Sequence, residues 1–254
     1  MLTDEELDRY ARHIVLPHVG AAGQLAFKHG RVLIIGAGGI GSAVIPALAA
    51  AGVGMLRIVD DDTVSLSNLQ RQTLFSTGDI GRRKVDVAAE RMAALNPHVT
   101  VEPVAERVDA GNLPTLLSAV DLVIDGSDNF ATRLAVSDAA TVARVPLVSA
   151  AIAQFQGQVG TFRGWEPTLP CYRCFVGDAH DPEDCDSCAE QGVLGAMVTM
   201  VGGFAAVEAL RLLAGFGEDA RGKLHIIDGL APQWRTIKLP KDPGCTACGG
   251  LARG

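Results

Sequence analysis

Three groups of residues in this 254-residue chain have the types and spacing for chemistry. The first is Gly36-Ala37-Gly38-Gly39-Ile40-Gly41, a G-x-G-x-x-G loop. Between a strand and a helix, such a loop brings backbone N–H groups up to a phosphate, and the helix dipole favours the anion. Asp60 follows about 20 residues on, where a carboxylate accepts hydrogen bonds from ribose hydroxyls. Together these indicate a nucleotide and leave NAD, FAD and ATP open.

The second group narrows the choice. Asp60-Asp61-Asp62-Thr63-Val64-Ser65-Leu66-Ser67-Asn68-Leu69-Gln70-Arg71-Gln72 is long and polar, and Lys84 follows it. A dinucleotide needs little positive charge beyond the helix end. A triphosphate needs cations aimed at it, because charge builds on the leaving pyrophosphate. Asp128 falls just beyond a strand ending at Asp125, at the edge where open α/β sheets bind ligands. A carboxylate there, beside phosphates, is a good Mg²⁺ ligand. Its competing role is N-cap of the next helix, with Asn129 and Thr132 adjacent.

The third group is the cysteines. All six fall in C-x-x-C pairs: Cys171/Cys174, Cys185/Cys188 and Cys245/Cys248. Two such pairs make a closed Cys₄ zinc site, which is structural. Spacing alone leaves open which two. The first and second are nearest in sequence, as in a zinc ribbon. The six histidines form no ligand pattern.

These groups need a scaffold, and the sequence supplies one. Thr3 and Glu6 form a capping box ahead of a helix whose polar face carries Arg9 and Arg12. Apolar strands are expected at 31–36, 55–60, 99–104, 120–125 and 146–151, with helices at 40–51, 82–95 and 129–143 between them. The alternation predicts a Rossmann-like, doubly wound α/β fold: a mostly parallel sheet with helices on both faces. In the second half, strands at 158–163 and 223–228 flank a buried helix around 193–207, which predicts an antiparallel extension. We expect one continuous domain over 1–254. It divides into a helical extension (1–30), a nucleotide-binding half (31–151) and a half with the cysteine knuckles (152–254).

Composition agrees. Apolar residues make up 48% of the chain, enough for a sizeable core and too many for disorder. A formal charge of −7 without a basic block argues against nucleic acid or an anionic membrane as partner. The acidic start lacks the basic, then apolar, pattern of a secretory signal. A cytoplasmic location is expected, where paired cysteines point to metal before disulfides.

The polar segment 60–72, the glycine loop, Pro170-Cys171-Tyr172-Arg173-Cys174 and Pro243-Gly244-Cys245-Thr246-Ala247-Cys248 together resemble the ThiF/MoeB/HesA family, bacterial relatives of the ubiquitin-activating enzymes. The match runs from Leu2 to Gly249. The resemblance implies an adenylyltransferase. It would join the C-terminal Gly-Gly carboxylate of a small ubiquitin-like sulfur carrier to AMP and release pyrophosphate. The molybdopterin-synthase small subunit is the first candidate carrier, and a thiamine-type carrier the alternative. No rhodanese domain follows Gly254, so a separate sulfur donor is expected.

The family pattern also implies residue roles. Gly36, Gly38, Gly39 and Gly41 would form the nucleotide loop, and Asp60 would hold the ribose. Ser67, Asn68, Leu69, Gln70 and Asn129 would line the nucleotide. Asn68, Arg71 and Lys84 would contact phosphates, and Asp128 would bind Mg²⁺. Arg12 would enter the neighbouring subunit's site, which implies a homodimer. Zinc would be held by the first and third pairs: Cys171, Cys174, Cys245 and Cys248. Cys188 is a candidate nucleophile for a thiol adduct with the carrier, but its acidic surroundings raise a thiol pKa and oppose a resting thiolate. Cys185 is outside the family pattern. Three other readings fit less well. An NAD-dependent oxidoreductase with structural zinc, or a non-catalytic scaffold, leaves Arg71, Lys84 and Asp128 without a task. The acidic balance opposes an enzyme acting on a tRNA-borne carboxylate.

Overall fold

The computed structural model describes residues 1–178 and 192–250. One eight-stranded sheet runs through both halves in the order β3-β2-β1-β4-β5-β6-β7-β8. The strands are β1 (Arg31–Ile35), β2 (Met55–Val59), β3 (Thr100–Val104), β4 (Leu122–Asp125), β5 (Leu147–Ala153), β6 (Gln156–Phe162), β7 (Lys223–Asp228) and β8 (Gln233–Lys238). Pairing is parallel from β3 to β5 and antiparallel from β5 to β8. The fold is therefore Rossmann-like with an antiparallel C-terminal extension. The order reverses between β1 and β4, and this switch point is where such sheets open a ligand crevice.

The central strands lack alternation because both faces are covered. Val32 and Ile34 of β1 face one core, with Val44, Leu48, Val198 and Val201. Leu33 and Ile35 face the other, with Leu113, Leu134 and Val136. The helices on the first side are α3 (Gly20–His29), α4 (Gly39–Ala51), α5 (Lys84–Leu95) and α9 (Gly195–Ala214). On the second lie α6 (Leu113–Leu116), α7 (Phe130–Ala143) and α8 (Tyr172–Val176).

Besides the short helices α6 and α8, which the sequence did not announce, three elements depart from the sequence expectation. The opening helix is two: α1 (Asp4–Arg9) and α2 (Ala11–Ile14), broken at Tyr10. Arg9 and Arg12 therefore stand on different helices. The break follows from Tyr10, which is buried with its hydroxyl accepting a 2.8 Å hydrogen bond from the Asn96 side chain. The apolar run near 193–207 continues to Ala214, so α9 has 20 residues. By length and composition it could cross a membrane, yet it packs along α4, β5, β6 and α3. Strand β8 gave no signal, because all six of its residues are exposed and no buried face imposes a period on them.

Candidate active site

A cavity of about 450 Å³ lies over the C-terminal ends of β1 and β4. Gly36, Gly38, Gly39, Asp60, Asn68, Arg71, Lys84, Asp128 and Asn129 all line it. Residues up to about 90 apart in sequence thus meet in one crevice, because each lies in a connection that leaves the C-terminal end of β1, β2 or β4.

The glycine loop is shaped for a phosphate. Gly36 has φ +90°, a conformation that disfavours a side chain. Gly41 does not line the cavity and serves packing instead: a Cβ there would lie 2.1 Å from the Gly36 carbonyl oxygen. No side chain caps the N-terminus of α4, so its first N–H groups remain open for an anion. Asp60 braces the loop: Oδ2 accepts from the Ala37 N–H at 2.8 Å and Oδ1 from the Asp62 N–H at 2.9 Å. Burial pushes the Asp60 carboxyl upward in pKa, and nearby Lys84 opposes that shift.

The cations are held differently. Lys84, 4% exposed at its side chain, has Nζ 2.7 Å from Asp62 and 3.8 Å from Asp60. Part of its charge is already answered. Arg71 donates to the Ser67 carbonyl at 3.0 Å and has no acidic partner among the described residues, so its charge is available to a ligand. Ser67 and Gln70 do not line the cavity; Ser67 contributes this carbonyl, and Leu69 packs against the core. Asn68 accepts from the Ser65 N–H within a short capping box.

Asp128 is exposed and forms no hydrogen bond with any described residue. The N-cap of α7 is Asn129, whose Oδ1 accepts from the Thr132 N–H at 2.8 Å. The helix thus has its cap without Asp128, and that carboxylate faces the cavity unassigned.

Arg12 is not in this cavity. Its helix is fastened at the far end of α4. There Gln24 donates to the Ala51 carbonyl at 2.8 Å, and its Oε1 accepts from His13 Nδ1 at 3.0 Å. Thirteen residues of α4 separate that end from the glycine loop, roughly 20 Å at helical rise. Arg12 is exposed and makes no hydrogen bond or ion pair with described residues.

Four cysteines gather on the other side of the sheet. Cys171 Sγ lies 3.8 Å from Cys174 and 3.5 Å from Cys245, and Cys174 lies 3.4 Å from Cys248. A tetrahedral zinc with Zn–S bonds of about 2.3 Å requires sulfurs about 3.8 Å apart, so the first and third pairs fit the ion. A hydrogen bond from Cys171 pulls the Cys174 thiol down to about 5, while the same contact and burial push Cys171 up. Lys241 joins the segments that precede the two knuckles: its ammonium donates to the carbonyls of Gly164, Glu166 and Leu169 at 2.6, 3.0 and 3.2 Å. Cys185 and Cys188 lie outside the described residues.

Gln72, Arg107 and Arg133 are among the lining residues to which sequence reasoning gave no role. Gln72 and Arg133 are buried. Arg133 had a signal, since it falls in register with the buried Ser137 and Ala140 on α7, where a cation is unexpected.

Comparison with known proteins agrees with this geometry. The ThiF family model matches residues 10–247. The sulfur carrier protein adenylyltransferase of Thermus thermophilus is 45% identical, covering 97% of this chain and 92% of that protein. The molybdopterin-synthase adenylyltransferase of Escherichia coli is 42% identical, covering 98% of both chains. The Escherichia coli ThiS adenylyltransferase is 39% identical over 98% of both. Among solved structures, Escherichia coli MccB with ATP superposes with a TM-score of 0.83 at 22% identity, covering 95% of this chain and 74% of that one; it supports the fold. By family match and by the class of these relatives, the chain is an adenylyltransferase of the ThiF family.

Proposed function

We propose that this chain activates the C-terminal carboxylate of a small ubiquitin-like sulfur carrier ending in Gly-Gly, forming an acyl-adenylate and pyrophosphate. The molybdopterin-synthase small subunit is the carrier we favour. The Escherichia coli relative named for that task supports this choice, and the ThiS-specific relative is almost as similar. The observation that carries the reaction is the Asp128 carboxylate, free of its helix cap, facing a cavity with Arg71, Lys84 and an uncapped helix N-terminus.

The chemistry asks little proton transfer of the protein. A carrier carboxylate oxygen attacks the α-phosphorus, the bond from that phosphorus to the bridging oxygen breaks, and pyrophosphate leaves with the electron pair. The nucleophile is already ionised, so no general base is needed. The barrier lies in bringing two anions together and dispersing charge, which positioning and preorganised cations supply. The α4 N-terminus would receive a phosphate, Asp60 the ribose, and Arg71 the pyrophosphate as it departs. Lys84 would exchange Asp62 for phosphate oxygen; Asp62 is exposed, so water can solvate its carboxylate once it is released. Asp128 would hold Mg²⁺, which neutralises phosphate charge when bound. The sulfur of a separate donor would then attack the acyl carbon and displace AMP.

The Arg12 geometry supports a homodimer with shared sites, because Arg12 is too far from its own cavity to serve it. The cysteine cluster would hold a structural zinc with no open position. The test of the reaction is Asp128→Ala. The variant should fold and lose ATP–pyrophosphate exchange; normal exchange by the folded variant contradicts the role.

A further inference from the structure

Arg133 is a buried cation whose partners are all neutral. It is 8% exposed, lines the cavity, and forms no salt bridge with any described acid. Nη2 donates to the carbonyls of Ser127 and, at 3.0 Å, Ala150; Nη1 donates to Ser149 Oγ at 3.3 Å. The location has a topological cause. The β4–β5 register ends at Asp125↔Ser149, while β5 continues to Ala153. Beyond Asp125 the chain turns away from β5, and the guanidinium spans the gap that opens. The planar fork suits this, because it can serve two carbonyls at once.

The bridged residue is the one before Asp128. Ser127 is gripped at both ends: its N–H donates to Asp125 Oδ1 at 2.9 Å, and its carbonyl accepts from Arg133. That carbonyl belongs to the peptide leading into Asp128. On the other side, Asn129 is fixed by its cap bond to Thr132. The backbone is thus held before and after Asp128, while the Asp128 carboxylate is left free.

We propose that Arg133 is the positioning residue for Asp128, fixing the Ser127–Asp128 peptide so that this carboxylate meets the metal–nucleotide side of the cavity. The inference rests on the reading of Asp128 as the Mg²⁺-holding group. Outer partners of metal-ligating carboxylates change metal affinity on the order of 10–100-fold when removed.

The test uses full-length Arg133→Met and Arg133→Lys. Binding of a non-hydrolysable ATP analogue is measured by calorimetry across a Mg²⁺ series, alongside ATP–pyrophosphate exchange. Half-saturating Mg²⁺ should rise on the order of 10–100-fold in Arg133→Met, with Mg²⁺-free nucleotide binding changed far less. Arg133→Lys keeps the charge but not the fork, and should recover only part of the loss. If Arg133→Met does not fold, Arg133→Lys carries the same readouts. In an Asp128→Ala background, Arg133→Lys should have no further effect on Mg²⁺ dependence. Equal weakening with and without Mg²⁺, an unchanged Mg²⁺ requirement, or additivity with Asp128→Ala would overturn the proposal. An Asp128→Ala chain with normal Mg²⁺ dependence would instead overturn the underlying reading of Asp128.

Discussion

Removing zinc should cost stability and leave the chemistry intact. Cys171 and Cys245 are 74 residues apart, so an ion joining their pairs closes a long loop. Treated as a cross-link, a loop of that length withdraws about 4.4 kcal/mol of entropy from the unfolded chain. Unfolding entropy of about 2.1 cal/mol/K per residue, taken over the whole chain, converts this to a Tm fall of about 8 °C. Lys241 still holds together the segments that precede the first and third cysteine pairs, so the apo chain should remain folded. The assay is a thermal melt with and without a strong chelator, on protein with metal content measured by mass spectrometry. Cys245→Ser should reproduce the shift and Cys185→Ser should not. An unchanged Tm in demonstrably zinc-free protein would refute the cross-link. Zinc loss from Cys185→Ser would refute the pairing.

Three further outcomes follow from the geometry. Arg71→Ala should lower adenylation by about 3 kcal/mol in barrier, the worth of a preorganised donor, read as kcat of pyrophosphate exchange in folded protein; a change of less than threefold would remove it from the pyrophosphate side. Arg12→Ala and Asp128→Ala chains, each inactive alone, should regain part of the activity as mixed dimers, because one site then holds both intact residues. Absence of recovery in demonstrated mixed dimers would confine Arg12 to its own subunit or deny it a role. Burial alone would raise the Glu6 carboxyl, but its hydrogen bond from Lys28 and those at Thr3 outweigh it, holding the pKa at about 2 against a usual 4.5. A depressed pKa stabilises the fold above about pH 4.5, and that contribution fades as pH falls toward 2. Glu6→Gln should therefore lower Tm at pH 6, and the gap to the parent should narrow as pH falls from 4.5; a gap independent of pH would contradict the ion pair.

Much of this architecture was readable because burial leaves a pattern. The continuous apolar runs of β1, β2 and β4 mark strands covered on both faces, and the glycine loop marks the turn between β1 and α4. The paired cysteines announced a metal site, though not which pairs would meet, since that depends on how the chain returns after β8. The site residues were legible where a lone charge had no structural reason to be there, as with Asp128 and Arg71. Arg133 carried only the weak signal of its register with buried Ser137 and Ala140, and its partners, two backbone carbonyls and the Ser149 hydroxyl, have no charge to announce it. The break at Tyr10 was hidden for a similar reason: a tertiary contact with Asn96 ends a helix that local propensity would continue. Strand β8 has flanking turn residues in Gly229, Pro232 and Pro240 but no buried face to declare it.

The central claim is that the cavity joins AMP to a protein's C-terminal carboxylate. Its most direct test is ATP–pyrophosphate exchange with a purified Gly-Gly-ended carrier, compared with the same carrier carrying a C-terminal amide. The account predicts exchange that requires both the carrier and its free carboxylate. Equal exchange with the amidated carrier, or with no carrier present, would contradict it.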